Sequence, residues 1–156
     1  MSFHTMRNKK RELTKEEALA ILEKGEYGTL STVDGEGQPY GVPLSYVVYN
    51  GSIYFHCASE GHKLENIRHS DRVCFSAVGR AETDAPGFTV RYESAVVFGR
   101  AQQAPKAEWH EVLLALCAKY SPGYEEKAEA NIVKWSGNLD IVRITIDHIT
   151  GKANRG

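Results

Sequence analysis

The sequence predicts a mainly β protein, an antiparallel barrel with helices at its periphery. About six segments have the alternating apolar and polar residues of strands, and turn residues such as Asn50-Gly51 separate them. The helical segments do not alternate regularly with these strands, which disfavours a Rossmann fold. The sequence also lacks the dinucleotide-binding Gly-x-Gly-x-x-Gly motif after its first strand, and it has no Walker sequence. An antiparallel sheet built from hairpins is therefore expected.

The first element is a short helix that begins after Thr14. Thr14 and Glu17 have the spacing of a capping box, in which each residue bonds a free backbone amide of the other. The apolar residues that follow recur at helical spacing, and Gly25 ends the pattern.

Strands follow this helix in quick succession. We expect strands at residues 27–33, 40–49, 52–58, 72–79, 88–102 and 139–147, with a short helix at 62–69. The polar, turn-rich segment from Gly79 to Gly87 is predicted to be a mobile loop.

Asn50-Gly51 is the clearest turn signal, because both central residues of a two-residue hairpin need a positive φ. The predicted register pairs Tyr49 with Ser52, Val48 with Ile53, Val47 with Tyr54, Tyr46 with Phe55, Ser45 with His56 and Leu44 with Cys57. Alternation then gives one core face, made of Leu44, Tyr46, Val48, Ile53, Phe55 and Cys57. Ser45 and His56 lie on the other face, about 5 Å apart at Cβ. A lone histidine on a strand is more often structural than functional, so this pair needs further support.

The segment after this hairpin contains the residues of an anion site. Ser59, Gly61 and Lys63 lie at the start of the predicted helix, where free backbone amides and the helix dipole favour a negative charge. A serine hydroxyl and a lysine ammonium there suit a phosphate monoester. Taken alone, Ser-x-Gly-x-Lys fits an ordinary surface loop equally well.

Two helices are expected before the last strand. Pro105 suits the first position of the first helix, and Pro122-Gly123 ends it. Its residues at helical spacing are Trp109, Val112, Leu113, Leu116 and Tyr120. The second helix, about residues 124–135, has Tyr124, Ala128, Ile132 and Trp135 on one side. We expect the aromatic residues of both helices, Trp135 included, to pack in the core.

Composition bounds the class of protein. With 156 residues, 42% of them hydrophobic and 25% charged, the chain has an ordinary globular composition. We expect an N-terminal lead-in at residues 1–12, a single domain at 13–152 and a C-terminal tail at 153–156. The net charge of −1 provides no basic field for a nucleic-acid partner.

Localisation and metal binding are bounded in the same way. No stretch approaches the ~20 apolar residues of a membrane span, and the N-terminal residues lack the apolar core of a signal peptide. A cytoplasmic protein without membrane contact is expected. Cys57, Cys74 and Cys117 are widely spaced and form no Cys-x-x-Cys pair, so neither a disulfide framework nor a metal site is indicated.

Six ordered stretches resemble a known family. They are residues 28–32 (GTLST), 38–47 (QPYGVPLSYV), 53–58 (IYFHCA), 61–64 (GHKL), 92–101 (YESAVVFGRA) and 146–152 (IDHITGK). These stretches resemble the flavin-binding split-barrel proteins. Within that superfamily they are most similar to the NimA-like, nitroimidazole-resistance branch of the pyridoxamine-phosphate-oxidase-like group. The resemblance extends over about residues 10–152.

The resemblance implies an antiparallel split β-barrel of the FMN-binding type. It also implies a homodimer with FMN in each of two clefts at the subunit interface. By motif position, the residues that line the flavin ring are Val42, Pro43, Leu44 and Ser45, and those that hold the phosphate are Ala58, Ser59 and Lys63. His56 matches a position that faces the reactive side of the flavin. It is the candidate catalytic residue, as proton donor or substrate contact.

For activity, the resemblance implies an FMN-dependent oxidoreductase. Such an enzyme takes hydride from a nicotinamide donor and reduces a small-molecule substrate, for example a nitroaromatic compound. Three alternatives remain open, because the fold does not determine the reaction. The first alternative is a non-catalytic flavin-binding or electron-carrier module. The second is a pyridoxamine 5'-phosphate oxidase that uses Arg143, His148 and Arg155, and the third is a haem protein with His56 or His148 as ligand.

Overall fold

A computed structural model describes residues 2–135 and 137–156, so Met1 of the expected lead-in lies outside the described residues, as does Ser136. In chain order the elements are β1 Glu12–Leu13, α1 Lys15–Lys24, β2 Gly28–Val33, β3 Pro39–Leu44, β4 Val47–Tyr49, β5 Ser52–Cys57, α2 His62–His69, β6 Arg72–Asp84, β7 Thr89–Gln103, a 3-10 turn Lys106–Glu108, α3 Trp109–Tyr120, α4 Glu125–Trp135 and β8 Asp140–Asn154.

The described strands form one antiparallel sheet. Its order is β3-β2-β6-β7-β8-β5-β4, and β1 pairs with β8 outside this path. The sheet curls into a half-barrel, and α1 packs against β6, β7 and β8. The predicted fold class, a mainly β antiparallel split barrel with peripheral helices, is confirmed.

Two apolar clusters hold the sheet and the helices together. The larger one lies inside the curl and includes Leu22, Leu30, Tyr46, Phe55 and Phe75, all fully buried. The smaller one joins the outer face of β4 and β5 to α3 and α4, and its buried members are Val47, Tyr54, Ala104, Val112, Leu113, Leu116, Ile132 and Ile141. Both faces of the β4–β5 hairpin are therefore partly buried, the predicted core face inside the curl and the other face beneath the two helices.

Helix α1 begins and ends where the sequence predicts. The Thr14 hydroxyl accepts a hydrogen bond from the Glu17 N–H at 3.2 Å, and the Glu17 carboxylate accepts one from the Thr14 N–H at 2.8 Å. Gly25 follows the helix in extended backbone. A Cβ added at Gly25 would collide with the Tyr46 hydroxyl, so the close approach of this hydroxyl requires glycine there.

The Asn50-Gly51 hairpin has the predicted turn but a shorter ladder. Both turn residues have positive φ, and the pairs Tyr49–Ser52, Val48–Ile53 and Val47–Tyr54 are observed. The ladder between these strands ends at Val47, so the predicted strand at 40–49 is two strands, β3 and β4. The expected pairing of Ser45 with His56 is wrong, and His56 instead pairs with Ile141 of β8.

A tyrosine from α3 accounts for this break in the strand. The Tyr46 N–H donates to the Tyr120 hydroxyl at 2.9 Å, and the Tyr120 hydroxyl lies 2.7 Å from the Tyr46 carbonyl oxygen. The Lys119 ammonium donates to the same carbonyl oxygen at 2.9 Å. Because these side chains satisfy both backbone groups of Tyr46, the chain needs no strand partner at this point.

Three other boundaries differ from the predictions. Residues 79–84, expected to be part of a loop, continue β6, and only a short turn at residues 85–88 separates it from β7. Strand β8 continues past residue 147 to Asn154, because β7 supplies a partner for each residue from His148 to Asn154. Pro105 precedes the 3-10 turn as its N-cap, and α3 begins only at Trp109, so Pro105 is not the first residue of an α-helix.

Helix α4 differs from the prediction in how its predicted apolar side is buried. Ala128 and Ile132 are buried against α3, as expected. Tyr124 and Trp135, at the two ends of the helix, are 63% and 43% exposed, so the prediction that they pack in the core is wrong. The ends of α4 extend beyond the surface that α3 covers. In the part of the chain that the structure describes, no helix combines the length and apolarity needed to cross a membrane.

Candidate functional site

A cavity of about 690 Å³ lies between the end of β5 and the helices α3 and α4. Its wall consists of Ser45, His56, Cys57, Ala58, Leu116, Cys117, Tyr120, Ser121, Lys134, Trp135, Asn138 and Leu139. Ligand sites in proteins have volumes of roughly 300–1,000 Å³ and combine apolar walls with a few polar groups. This cavity has both properties and is the candidate functional site.

Three of the eight predicted site residues meet in this cavity. Ser45 reaches it from the gap between β3 and β4, His56 from the end of β5, and Ala58 from the loop that follows. Ser45 and His56 are not paired across a ladder, yet they line the same cavity because the chain turns away from β5 at Ser45. The prediction of a polar pair near the end of this hairpin thus identified two cavity residues through an incorrect register.

The three other predicted ring-binding residues, Val42, Pro43 and Leu44, lie on β3. Val42 and Leu44 are half-buried and pack against the main core, whereas Pro43 is exposed. Strand β3 is at one end of the sheet and pairs only with β2. Its side chains at 42 and 44 are therefore committed to the core, and its outer backbone edge has no strand partner among the described residues.

The predicted phosphate residues surround the N-terminus of α2. Ala58 and Ser59 are exposed, and Gly61 is the N-cap with a φ of +146°, a backbone conformation that favours glycine. Among the described residues, no side chain caps the first turn of α2. The amides at this helix start are therefore available to a bound anion.

Lys63 lies close enough to act electrostatically on the cavity wall. Burial raises the pKa of the Cys57 thiol, and the positive charge of Lys63 opposes that rise. Cys57 lines the cavity, so the ammonium of Lys63 and the cavity share one neighbourhood. Lys63 and the uncapped α2 terminus can therefore hold the anionic end of a ligand whose other end enters the cavity.

His56 lines the cavity as an unpaired imidazole. Burial lowers the pKa of His56 below 6.5, and no carboxylate opposes this change. The described residues give its side chain no hydrogen-bond partner. A mostly neutral imidazole with free nitrogen atoms is thus available to a ligand at pH 7.

The helical wall of the cavity was not predicted. Leu116, Cys117 and Tyr120 come from α3, and Lys134 and Trp135 come from the end of α4. The helical spacing of α3 predicts that Leu116 and Tyr120 share one face, but the sequence does not indicate that this face meets His56. For α4, the only signal was a tryptophan and a lysine at the C-terminal end of an amphipathic helix.

The basic residues of the oxidase alternative lie elsewhere. The Arg143 guanidinium pairs with Glu108 at 3.2 Å, and Arg155 pairs with Glu93 at 3.1 Å. His148 stacks on Phe3 with ring centroids 4.6 Å apart. These three residues do not line the cavity, and the structure does not bring them together. Within residues 2–135 and 137–156, no cluster of three or more His, Cys, Asp or Glu side chains could hold a metal ion.

A curled antiparallel sheet with a cavity at the end of its hairpin defines the split-barrel class of fold. The sequence profile described as pyridoxamine 5'-phosphate oxidase matches residues 14–153. The chain therefore belongs to this family. No curated protein matches the chain.

Solved structures confirm the fold. The chain is 21% identical to a candidate 5-nitroimidazole antibiotic resistance protein from Bacteroides thetaiotaomicron, with a TM-score of 0.73, covering 91% of this chain and 86% of the other. It is 24% identical to an FAD-binding protein from Mesorhizobium loti, with a TM-score of 0.64 and coverage of 92% and 95%. It is 18% identical to an FAD and haem binding protein from Mycobacterium smegmatis, with a TM-score of 0.80 and coverage of 94% and 74%.

Proposed function

We propose that the protein binds FMN and acts as an FMN-dependent oxidoreductase of the NimA-like type. One observation carries the proposal. A ligand-sized cavity that contains His56 adjoins an uncapped helix start that carries Lys63. A planar ring with a phosphorylated side chain needs these two features side by side.

The residues of the site fit this cofactor. Lys63, Ser59, Ala58 and the amides at the start of α2 would hold the phosphate, and Ser45 and His56 would contact the ring. Val42 and Leu44 would contribute through the backbone, because their side chains pack against the core. Bound flavin supplies the redox chemistry, while the protein orients the reactants and controls local charge.

His56 is the proposed proton donor. Its imidazole faces the cavity without a competing partner, and its lowered pKa makes the protonated form a stronger acid than free histidine. Such a group would transfer a proton to a substrate that gains electrons and becomes basic. The polar and titratable side chains in the cavity wall, His56 among them, favour this activity over a non-catalytic flavin module.

A homodimer with the cofactor at the interface is part of the proposal. Pro43 lies in a second depression of about 530 Å³, beside the exposed side chains of Tyr27 and Val78. In a single chain, Pro43 is exposed to solvent on this side. A second copy that covers this depression would bring the β3 edge, next to Ser45 of the flavin site, into the subunit interface, and two-fold symmetry would generate two equal sites.

The decisive experiment is a visible spectrum of the purified protein. We expect flavin absorption, with FMN as the cofactor released on denaturation. Replacement of Lys63 by Gln should weaken FMN binding about tenfold and leave riboflavin binding unchanged, because only FMN carries the phosphate. Lys127→Gln, an exposed change on α4, is the control.

Two further results would contradict the proposal. Purified protein that fails to bind added FMN, FAD or riboflavin would refute the flavin site. The second result concerns FMN-loaded protein that NADH or NADPH has reduced. If no nitroimidazole or other acceptor reoxidises this protein faster than oxygen alone does, the oxidoreductase activity is refuted and the protein is a flavin-binding module.

A further inference from the structure

We propose that the end of α4 forms an anion-selecting wall, so that the cavity accepts, beside the flavin, a planar aromatic molecule with one negative charge. Lys134 would pair with the anionic group of this substrate, and Trp135 would contact its ring. This inference rests on the proposed flavin site and names the substrate class that the site would take.

The first observation is the charge of the cavity wall. None of the described residues that line the cavity is an aspartate or a glutamate. Burial raises the pKa of the Cys57 and Cys117 thiols and of the Tyr120 phenol, so these groups are neutral at pH 7. Burial lowers the pKa of His56, which is also mostly neutral there. Among the described wall residues, the ammonium of Lys134 is thus the one formal charge.

The second observation is that Lys134 has no competing anion. Within the described chain, no carboxylate lies within ion-pairing distance of its ammonium. Glu129, which is on α4 like Lys134, pairs instead with His110 of α3. The negative charge of Asp140 contributes to the raised pKa of Cys57. The Asp140 side chain already accepts hydrogen bonds from the Gln103 amide and the Ile141 N–H, both at 2.9 Å. Among the described residues, Lys134 therefore has no carboxylate partner that would compete with an anionic ligand.

The third observation is the shape and chemistry around this charge. The Trp135 side chain is 43% exposed at the end of α4 and lines the cavity beside Lys134. Asn138 adds an amide that can donate a hydrogen bond to an oxygen of the ligand. An indole surface, an ammonium and an amide together favour a flat ring that carries a carboxylate or a similar anion.

The phosphate of the flavin is another possible source of the anion that Lys134 would bind. Lys63 and the start of α2 already offer a phosphate site on the β5 side of the cavity, whereas Lys134 approaches from the α4 side. The two lysines are thus assigned to two different anions. This assignment separates the role of Lys134 from flavin binding.

The test compares an anionic probe with a neutral probe of the same shape. Calorimetric titration of FMN-loaded protein should show that 2-naphthoate binds about fivefold more tightly than 2-naphthamide, since a partly exposed ion pair contributes up to about 1 kcal/mol. Lys134→Met should remove this preference, and Lys127→Met on the same helix should retain it. The dissociation constants for FMN and riboflavin should be the same in all three proteins.

Three results would overturn the inference. Equal binding of the two probes by the unaltered protein would remove the evidence for an anion-selecting wall. A Lys134→Met variant that keeps the preference would show that another group selects the anion. A variant that loses affinity for FMN but not for riboflavin would assign Lys134 to the flavin phosphate. If the protein binds no flavin, yet the preference exists and depends on Lys134, the flavin proposal fails and the anion-selecting wall stands.

Discussion

At the scale of single residues, the central feature is a histidine whose environment opposes its positive charge. His56 lies at the end of a strand, with its ring in a cavity and without a carboxylate partner. The His56 side chain is exposed to the cavity and has no hydrogen-bond partner among the described residues. Its ring nitrogen atoms are therefore accessible to a ligand, as the proposed proton donor requires.

The pKa of His56 gives a test of its proposed role. Because burial lowers this pKa below 6.5, the protonated donor becomes more abundant as the pH falls from 7 towards that pKa. We expect turnover of the FMN-loaded enzyme to rise as the pH falls and to level off below the pKa. His56→Gln should remove this rise and reduce kcat about a hundredfold. Identical pH profiles for the two enzymes would exclude His56 as the donor.

At the scale of elements, α3 is attached to the sheet through a gap in a strand. The Tyr120 hydroxyl accepts a hydrogen bond from the Tyr46 N–H and lies 2.8 Å from the Glu26 carbonyl oxygen. The Lys119 ammonium lies 4.0 Å from the centre of the Tyr46 ring, and burial lowers the pKa of this lysine. One end of the cavity wall thus depends on polar contacts between residues 74 positions apart.

Removal of the Tyr120 hydroxyl should weaken this attachment. Tyr120→Phe leaves the Tyr46 N–H without its acceptor, and we expect a loss of about 1 kcal/mol in the free energy of unfolding. Urea denaturation followed by circular dichroism measures it. Tyr124→Phe, at a 63% exposed position, is the matched control and should change stability little. Equal stability of the two variants would show that the hydroxyl does not hold α3 to the sheet.

A close backbone contact controls the pairing of the two longest strands. Phe98 pairs with His148 and Gly99 with Ile146, so Asp147 is left as a bulge. A Cβ added at Gly99 would lie 2.1 Å from the carbonyl oxygen of Thr145. This oxygen belongs to the backbone of the paired strand, so it cannot move aside to relieve the clash. The bulge therefore needs glycine at position 99.

Gly99→Ala should consequently reduce stability by about 3 kcal/mol. Gly41→Ala is the control, because a Cβ at Gly41 would be 3.6 Å from its nearest atom, the Thr29 Cγ2, and its strand is at the edge. Urea midpoints and slopes for both variants give the comparison. A Gly99→Ala protein as stable as the Gly41→Ala protein would contradict the proposed steric role.

At the scale of the whole molecule, the cavity has one wall from the sheet and one from the helices. Helix α4 packs mainly against α3, and the bond between His110 and Glu129, 2.8 Å long, joins the two helices at the surface. Glu129 raises the pKa of His110, so this bond favours the folded state below pH 6.5 and is lost as the pH rises through the raised pKa.

The proposed dimer is also a property at this scale. We expect analytical ultracentrifugation to give twice the mass of one chain. Val78→Lys, at a position 59% exposed beside the depression that contains Pro43, should shift the protein towards the monomer and weaken FMN binding. Phe88→Lys, at the tip of the β6–β7 hairpin, is the control. A monomeric protein with full FMN affinity would contradict the proposed interface.

The predictions from sequence succeeded where the signal is local. Thr14 with Glu17 and Asn50 with Gly51 determine the helix start and the turn through contacts within a few residues. The core face of the β4–β5 hairpin followed from simple alternation. The fold class came from the order of these local elements and from the family resemblance.

The failures concern contacts between distant parts of the chain. The gap at Tyr46 depends on Tyr120, which is 74 positions away, and Trp135 is 43% exposed at the end of α4. The extension of β6 is mostly polar, and that of β8 alternates buried residues such as Ile149 and Ala153 with polar ones; both extensions pair with β7, a partner distant in sequence from β8. For the same reason, the sequence predicted three of the cavity residues as site residues but assigned no site role to the residues of its helical wall.

Strand β8 has a consequence for the order of folding. It pairs with β1, β5 and β7, which makes it the seam between the two parts of the sheet, and it is translated after every strand that it joins. The half-barrel therefore cannot close on the ribosome until residues 140–154 have left the exit tunnel. Until then, one edge of β5 and one edge of β7 lack a strand partner, and an unpaired strand edge favours aggregation.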